Sequence, residues 1–218
     1  MEEYLIEIRD LCFSYANGRK VFDGLDFSLK KGDRIGLTGP NGAGKTTLLH
    51  LIMGLLKPNT GEIKIFGRVR KEGKDFTEVR RRIGLLFQDS DDQLFCPTVE
   101  EDIAFGPLNL GKSIKETKSI VKETCERLGL LGFEKRVTHR LSSGEKRLVA
   151  LATVVAMNPE CFLLDEPTTG LDEKTTERFL RYLKEYADTY AIITHDRELF
   201  KNAVDRIYIL KDSKITAL

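Results

Sequence analysis

Residues 39–47, GPNGAGKTT, fit the pattern G-x-x-x-x-G-K-[ST] at Gly39, Gly44, Lys45 and Thr46. This spacing suits one ligand chemistry, a chain of phosphates. Glycines let backbone N–H groups curl round phosphate oxygens, and a helix starting at the loop's end adds its dipole. Lys45 reaches the β- and γ-phosphates and the Thr46 hydroxyl binds Mg²⁺. Pro40, Asn41, Gly42, Ala43 and Thr47 complete the expected nucleotide-binding set. Farther on, CFLLDE (161–166) reads as a buried apolar strand with Asp165 and Glu166 at its C-terminal end, where ligands bind in open α/β sheets. Asp165 is suited to hold Mg²⁺ through water, and Glu166 to orient and deprotonate an attacking water. An acidic pair at a strand end is weak by itself. After a phosphate loop it points to nucleotide hydrolysis.

A further stretch, LSSGEKR (141–147), has no phosphate of its own to serve. Locally, Ser142-x-x-Glu145 is a capping box, so its plainest meaning is a helix start. A capped helix N-terminus with Gly144 beside it is also an anion site.

The elements that must carry these residues follow from periodicity. LIEIRDL (5–11) and LDFSLKKGD (25–33) alternate with period two and read as antiparallel strands, and EIKIF (62–66) as another. RIGLTG (34–39) is a strand running into the phosphate loop, and KTTLLHLIMGLL (45–56) the helix after it; RIGLLFQ (82–88) is a buried strand. From 89 to 157 helical periods prevail. The α/β pattern resumes with the 161–166 strand, a helix over 173–186, the strand YAIITH (190–195) and a tail of two strands around a turn. The expected class is α/β: a parallel-sheet core (1–88 and 158–218), an antiparallel N-terminal part and an inserted α-helical subdomain (89–157), together forming a single domain over 1–218.

Composition bounds the partners. Of 218 residues, 41% are hydrophobic and 32% charged, as in a globular chain. Lys+Arg 35 against Asp+Glu 34 leaves a formal charge of +1, which offers no electrostatic case for nucleic acid. The acidic, alternating N-terminus is unlike a signal peptide, and no window approaches the roughly 20 apolar residues of a membrane span. Cys12, Cys96, Cys125 and Cys161 form no CxxC pair and read as reduced thiols of a cytosolic protein. His50, His139 and His195 are scattered and make no metal cluster.

In order and spacing these motifs resemble the nucleotide-binding subunit of ATP-binding cassette (ABC) transporters along nearly the whole chain. The resemblance implies a P-loop NTPase (RecA-like) core and an ATPase with ATP and Mg²⁺ as cofactors. It implies that Tyr15 stacks on adenine, that Gln88 is the Q-loop glutamine near Mg²⁺ and water, and that His195 contacts the γ-phosphate. LSSGE (Ser142, Ser143, Gly144, Glu145) is similar to the signature motif, and Asp172 in TTGLD to the D-loop aspartate. In that family these residues complete the site of a facing subunit, so a second ATPase subunit is an expected partner. The commonest family form is LSGGQ; here Ser143 replaces a glycine and Glu145 the glutamine.

The segment 87–111, FQDSDDQLFCPTVEEDIAFGPLNLG, resembles the ATPases of energy-coupling-factor importers, above all those for cobalt and nickel. That likeness implies a transmembrane coupling protein and a substrate-capturing membrane protein as partners, and a cytoplasmic, peripheral place on the inner face of the cell membrane. The chain's end at Leu218, soon after its core, favours the shorter metal-importing kind over vitamin importers. In those importers the region after Gln88 helps to form the groove for arginine-bearing helices of the coupling protein, which Asp89, Asp91 and Asp92 would complement. A DNA-repair ATPase of the superfamily would need a long coiled-coil insertion, for which 88–141 has no room. A ribosome-acting relative normally carries two cassettes, and a small-molecule phosphotransferase does not need LSSGE.

Overall fold

The apolar alternation of the N-terminal third forms paired strands in a computed structural model describing residues 3–218, with Arg197 and Asn202 described through their backbone alone. The first elements are β1 (Tyr4–Ser14), β2 (Lys20–Lys30), β3 (Arg34–Thr38), α1 (Lys45–Ile52), β4 (Thr60–Ile65), β5 (Arg68–Val69) and α2 (Phe76–Arg82). The middle of the chain forms β6 (Ile83–Leu86), α3 (Val99–Asn109), α4 (Ile114–Leu128), α5 (Ser143–Ala156), β7 (Cys161–Asp165) and α6 (Glu173–Tyr186). Last come β8 (Tyr190–Ile193), α7 (Arg197–Ala203), β9 (Arg206–Lys211) and β10 (Lys214–Ala217). These elements form two compact units, one of residues up to Ile83 with Asp188–Leu218, the other Gly84–Ala187.

In the first unit, an antiparallel sheet has the order β2-β1-β4-β5. Ile6, Ile8, Leu11 and Phe13 of β1 and Phe22, Leu25, Phe27 and Leu29 of β2 supply its buried side chains. Both strands of this hairpin run longer than the expected segments. The pairing shifts between Ile8↔Phe27 and Leu11↔Leu25, beside Asp10 at φ 47°, and such a bulge interrupts the period-two signal. A second set of strands, in the order β10-β9-β3-β8, has β3 parallel to β8 and β9 and β10 antiparallel to β9. The expected tail turn is Asp212-Ser213, with φ of 49° and 57°, the left-handed pair of a tight hairpin.

α1 ends at Ile52 rather than at residue 56, because the chain turns at Met53–Gly54 and the Leu55 N–H bonds back to the His50 carbonyl at 2.9 Å. α2 and α7, each seven residues long, were not expected from periodicity; at that length two turns give too little pattern to read.

In the second unit, β6 and β7 are neighbours, and α3, α4 and α5 form the expected helical run. α5 is buried almost throughout from Arg147 to Ala156. α4 opens on a capping box, Ser113 with Glu116, and closes on Gly129 in the left-handed conformation. The buried carboxylate of Asp102, in α3, accepts the N–H groups of Phe95 and Cys96 and the Thr138 hydroxyl. That knot fixes the loop before α3. The expected α/β class, with parallel core strands, an antiparallel N-terminal sheet and a helical part, is the fold observed. Among the described residues no helix is long and apolar enough to cross a membrane.

Candidate nucleotide site

In the first unit β3 ends just before the phosphate-loop residues and α1 begins at Lys45. Gly39, Gly42 and Gly44 have φ of 147°, 79° and 102°, backbone that glycine adopts without steric cost. Gly44 has no room for anything larger: a Cβ there would lie 2.5 Å from Val21 Cγ1 and 2.7 Å from the Phe22 ring. No side chain caps α1 and no acid stands in its first turn, so the positive end of the helix is open to an anion. Lys45, only 8% exposed, donates through Nζ to the carbonyls of Gly39 (2.8 Å) and Pro40 (3.1 Å). Arg19 donates to the Gly42 carbonyl at 3.0 Å and braces the loop from outside. Asn41 is exposed, while Ala43 and Thr46 are half-buried.

The hydroxyls of Tyr15 and Thr47 share a 2.8 Å hydrogen bond. The Tyr15 ring stands edge-on to Phe13 with centroids 5.0 Å apart. Its tip is therefore tied to α1. Because β8 runs parallel to β3 with Ile193 opposite Leu37, Gly39 and His195 leave the same edge of the sheet. His195 is exposed. Asp196 follows it and caps α7, its carboxylate accepting the N–H groups of Glu198 and Leu199.

In the second unit all of β7 is buried, and Asp165 at its end is 2% exposed. Glu166 is half-buried and has φ 48°, a left-handed conformation costing a non-glycine residue on the order of 1 kcal/mol or more. Its backbone is gripped by Arg147 of α5, 3% exposed. The Arg147 guanidinium donates to the carbonyls of Asp165, of Glu166 (2.7 Å), of Phe87 (2.5 Å) and of Gln88 (3.3 Å). Burial pulls the Arg147 pKa down to about 10, against the opposing pull of the Asp165, Glu166 and Asp89 charges. It is a cation at neutral pH. Gln88 itself is exposed, just past β6.

Ser142 caps α5, and the capping box is complete. One Glu145 oxygen accepts the Ser142 N–H at 2.8 Å and the other pairs with Arg136 at 2.7 Å. These partners, the Ser142 N–H first, hold the Glu145 carboxyl below the usual range. The departure from glutamine thus has a local reason, since an amide could not form the ion pair with Arg136. Ser143 is exposed at the first helical position. A Cβ on Gly144 would stand 2.4 Å from the Gly170 carbonyl oxygen. Gly144→Ala is therefore expected to cost about 1–3 kcal/mol of stability, read by urea unfolding. Asp172 caps α6 by accepting the Thr175 N–H at 2.7 Å, which holds its carboxyl below the usual range.

Sequence reasoning missed Arg147, Arg19 and Gln93. Gln93 accepts the Phe87 N–H and donates to the Ala150 carbonyl and the Thr153 hydroxyl. For Arg147 a signal existed: it opens the apolar run Leu148–Ala152 of a helix that is buried almost all round, and an arginine at the head of such a run needs buried acceptors.

The ABC transporter family pattern matches residues 22–169. The energy-coupling factor transporter ATP-binding protein EcfA of Methanocaldococcus jannaschii is 44% identical over 97% of this chain and 77% of its own length. The protein of the same name from Methanothermobacter thermautotrophicus is 43% identical over 98% of this chain and 70% of its own. Among solved structures, cbiO1 of Clostridium perfringens, described as part of the ABC transporter complex cbiONQ, superposes with a TM-score of 0.83 at 32% identity, covering 98% of this chain and 87% of that one. A dimeric ATP-binding cassette in a post-hydrolysis state with ADP and Pi gives 0.87 at 28% identity, covering 96% of both chains. The chain belongs to the ABC transporter family, as an ATP-hydrolysing ATP-binding protein homologous to the EcfA proteins.

Proposed function

We propose that this chain is the ATPase of an energy-coupling-factor type importer, working as a dimer of cassettes whose composite sites hydrolyse ATP. The observation that carries this reading is the phosphate loop, an uncapped helix start behind a turn with three left-handed glycines. In this reading Gly39–Thr47 cradle the phosphates, Tyr15 stacks on adenine, and His195 contacts the γ-phosphate. Glu166 takes the proton of the attacking water while Gln88 orients that water. The hydroxyl of Thr46, the amide oxygen of Gln88 and the carboxylate of Asp165 are each oxygen donors of the kind Mg²⁺ takes; they would hold the ion, which would supply positive charge against the phosphates. Ser142, Ser143, Gly144, Glu145 and Asp172 serve the nucleotide of the facing cassette. Residues 1–88 with 158–218 act as the nucleotide-binding core and 89–157 as the signature subdomain.

The names of the EcfA relatives, transporter ATP-binding proteins, and of the neighbour that is part of the cbiONQ complex support membership of a transporter assembly. The membrane coupling protein, the substrate-capturing protein and the cytoplasmic face of the membrane follow from the resemblance of 87–111. The resemblance of 87–111 to cobalt and nickel importers favours a metal ion as cargo. Co-purification from membranes, with the bound metal or vitamin identified, tests this assignment; a subunit that turns over ATP but retains no membrane partner would refute it.

The docking surface is taken to follow Gln88. Phe95 and Phe105 are 65% and 49% exposed and stack edge to face at 4.7 Å, and exposed Asp92 lies nearby in sequence. Asp91 is already engaged by Lys146 at 2.6 Å, an exposed pair of the sort worth about 0–1 kcal/mol. Asp91→Lys with Asp92→Lys should therefore leave the isolated subunit folded and able to bind ATP, yet weaken assembly with the membrane protein. The loss should be largest at low salt, where charge attraction is least screened. Parental assembly and uptake by the double variant at low salt would remove this surface from the reading.

A further inference from the structure

Arg147 gathers four backbone carbonyls from two loops that are far apart in sequence. Phe87 and Gln88 come from the segment after β6, Asp165 and Glu166 from the end of β7. A buried guanidinium without such acceptors would be strongly unfavourable. Its Nε remains buried without a hydrogen-bond partner, so the grip is made by the two terminal nitrogens alone. The same loop is tied to α5 again by Gln93, which takes the Phe87 N–H and reaches Ala150 and Thr153. Both peptide groups flanking the Phe87 side chain are thus fastened to one helix. On the other side, the Glu166 backbone sits in a left-handed conformation that a non-glycine residue keeps only where its surroundings enforce it. One terminal nitrogen of the guanidinium, Nη2, donates to its carbonyl at 2.7 Å.

We propose that Arg147 is a positioning residue for hydrolysis: it fixes the main chain of Gln88 and Glu166 relative to each other, so that water-orienting amide and general base keep one spacing. The proposal rests on the roles given to those two residues above. A base out of place by about 1 Å loses on the order of 10²-fold in rate while binding persists. Arg147 itself touches no reacting atom in this reading. It acts only through main chain, and so its removal should appear in kcat and not in KM.

The test uses the full-length chain, with Arg147→Gln, Arg147→Lys and a control, Val149→Ala, which perturbs the same buried helix. For Arg147→Gln, kcat should fall at least about 10-fold with KM for ATP within about 3-fold of the parent. Arg147→Lys keeps the charge and part of the reach, and should recover part of that loss. Val149→Ala should lower Tm yet keep the parental kcat. If Arg147→Gln does not fold, Arg147→Lys decides alone, with an expected kcat about 3- to 10-fold below the parent at unchanged KM. Single-turnover rates of Glu166→Gln and of Glu166→Gln combined with Arg147→Lys complete a cycle. Without the base there is little left to position, so the lysine should cost less than about 2-fold in that background. A folded Arg147 variant with parental kcat, or an equal loss in both backgrounds, overturns the proposal. A parental rate for Glu166→Gln itself would instead overturn the assignment of the base.

Discussion

Glu166→Gln is expected to lower ATP turnover by about 10²–10⁴-fold while leaving ATP binding in place. The substitution keeps the size of a half-buried side chain at the end of β7 and removes only the ability to take a proton. Arg147 holds the residue through its carbonyl at 2.7 Å, which an amide side chain does not disturb. Nucleotide that binds but cannot be cleaved should hold two cassettes together, so the variant should elute as an ATP-bound dimer on size exclusion. A variant that stays monomeric with ATP and hydrolyses at the parental rate would take Glu166 out of the base role.

Linked dimers give the second large effect. Lys45→Ala removes the cation now resting on the Gly39 and Pro40 carbonyls, and the loss of one electrostatic stabiliser of this kind is of order 10²–10³ in rate. Ser142→Arg replaces the N-cap of α5 with a bulky cation at the positive end of a helix, unfavourable for the cap and for any phosphate approaching it. Placed in opposite halves of a linked dimer, the two changes leave one composite site intact. Placed in the same half, they damage both sites. The first arrangement should occlude about one ATP per dimer and turn it over, whereas the second should do neither. Equal activity and equal ATP retention in the two arrangements would show that each chain's site is complete without its neighbour.

Several parts of this molecule were legible in its residues. Period-two runs identified β1, β2 and β4, a continuous apolar run identified β7, the capping box at Ser142 and Glu145 marked the start of α5, and the glycine spacing located the turn before α1. What stayed hidden depends on tertiary convergence. The Arg19 brace on Gly42 joins residues with no shared local pattern, and Arg147 becomes intelligible only when four carbonyls from two loops are brought round it. Glu145 shows the same limit from the other side. As a letter it departs from the commonest family motif, and only the placement of Arg136 at 2.7 Å supplies its reason. Short helices such as α7 escaped because one cap, Asp196, and seven residues leave too weak a period.

The grip of Arg147 has a consequence for how this chain can change over generations. All four of its acceptors are peptide oxygens, which every amino acid carries alike. Drift at positions 87, 88, 165 and 166 can therefore alter side-chain chemistry without removing a single hydrogen-bond acceptor from the guanidinium. A descendant could exchange Glu166 for glutamine and still offer the same carbonyl to Arg147, so that lost hydrolysis would be reversible by one codon. Position 147 has no such latitude. The scaffold is tolerant where the chemistry is written and strict at a residue that, in the reading above, never meets the nucleotide.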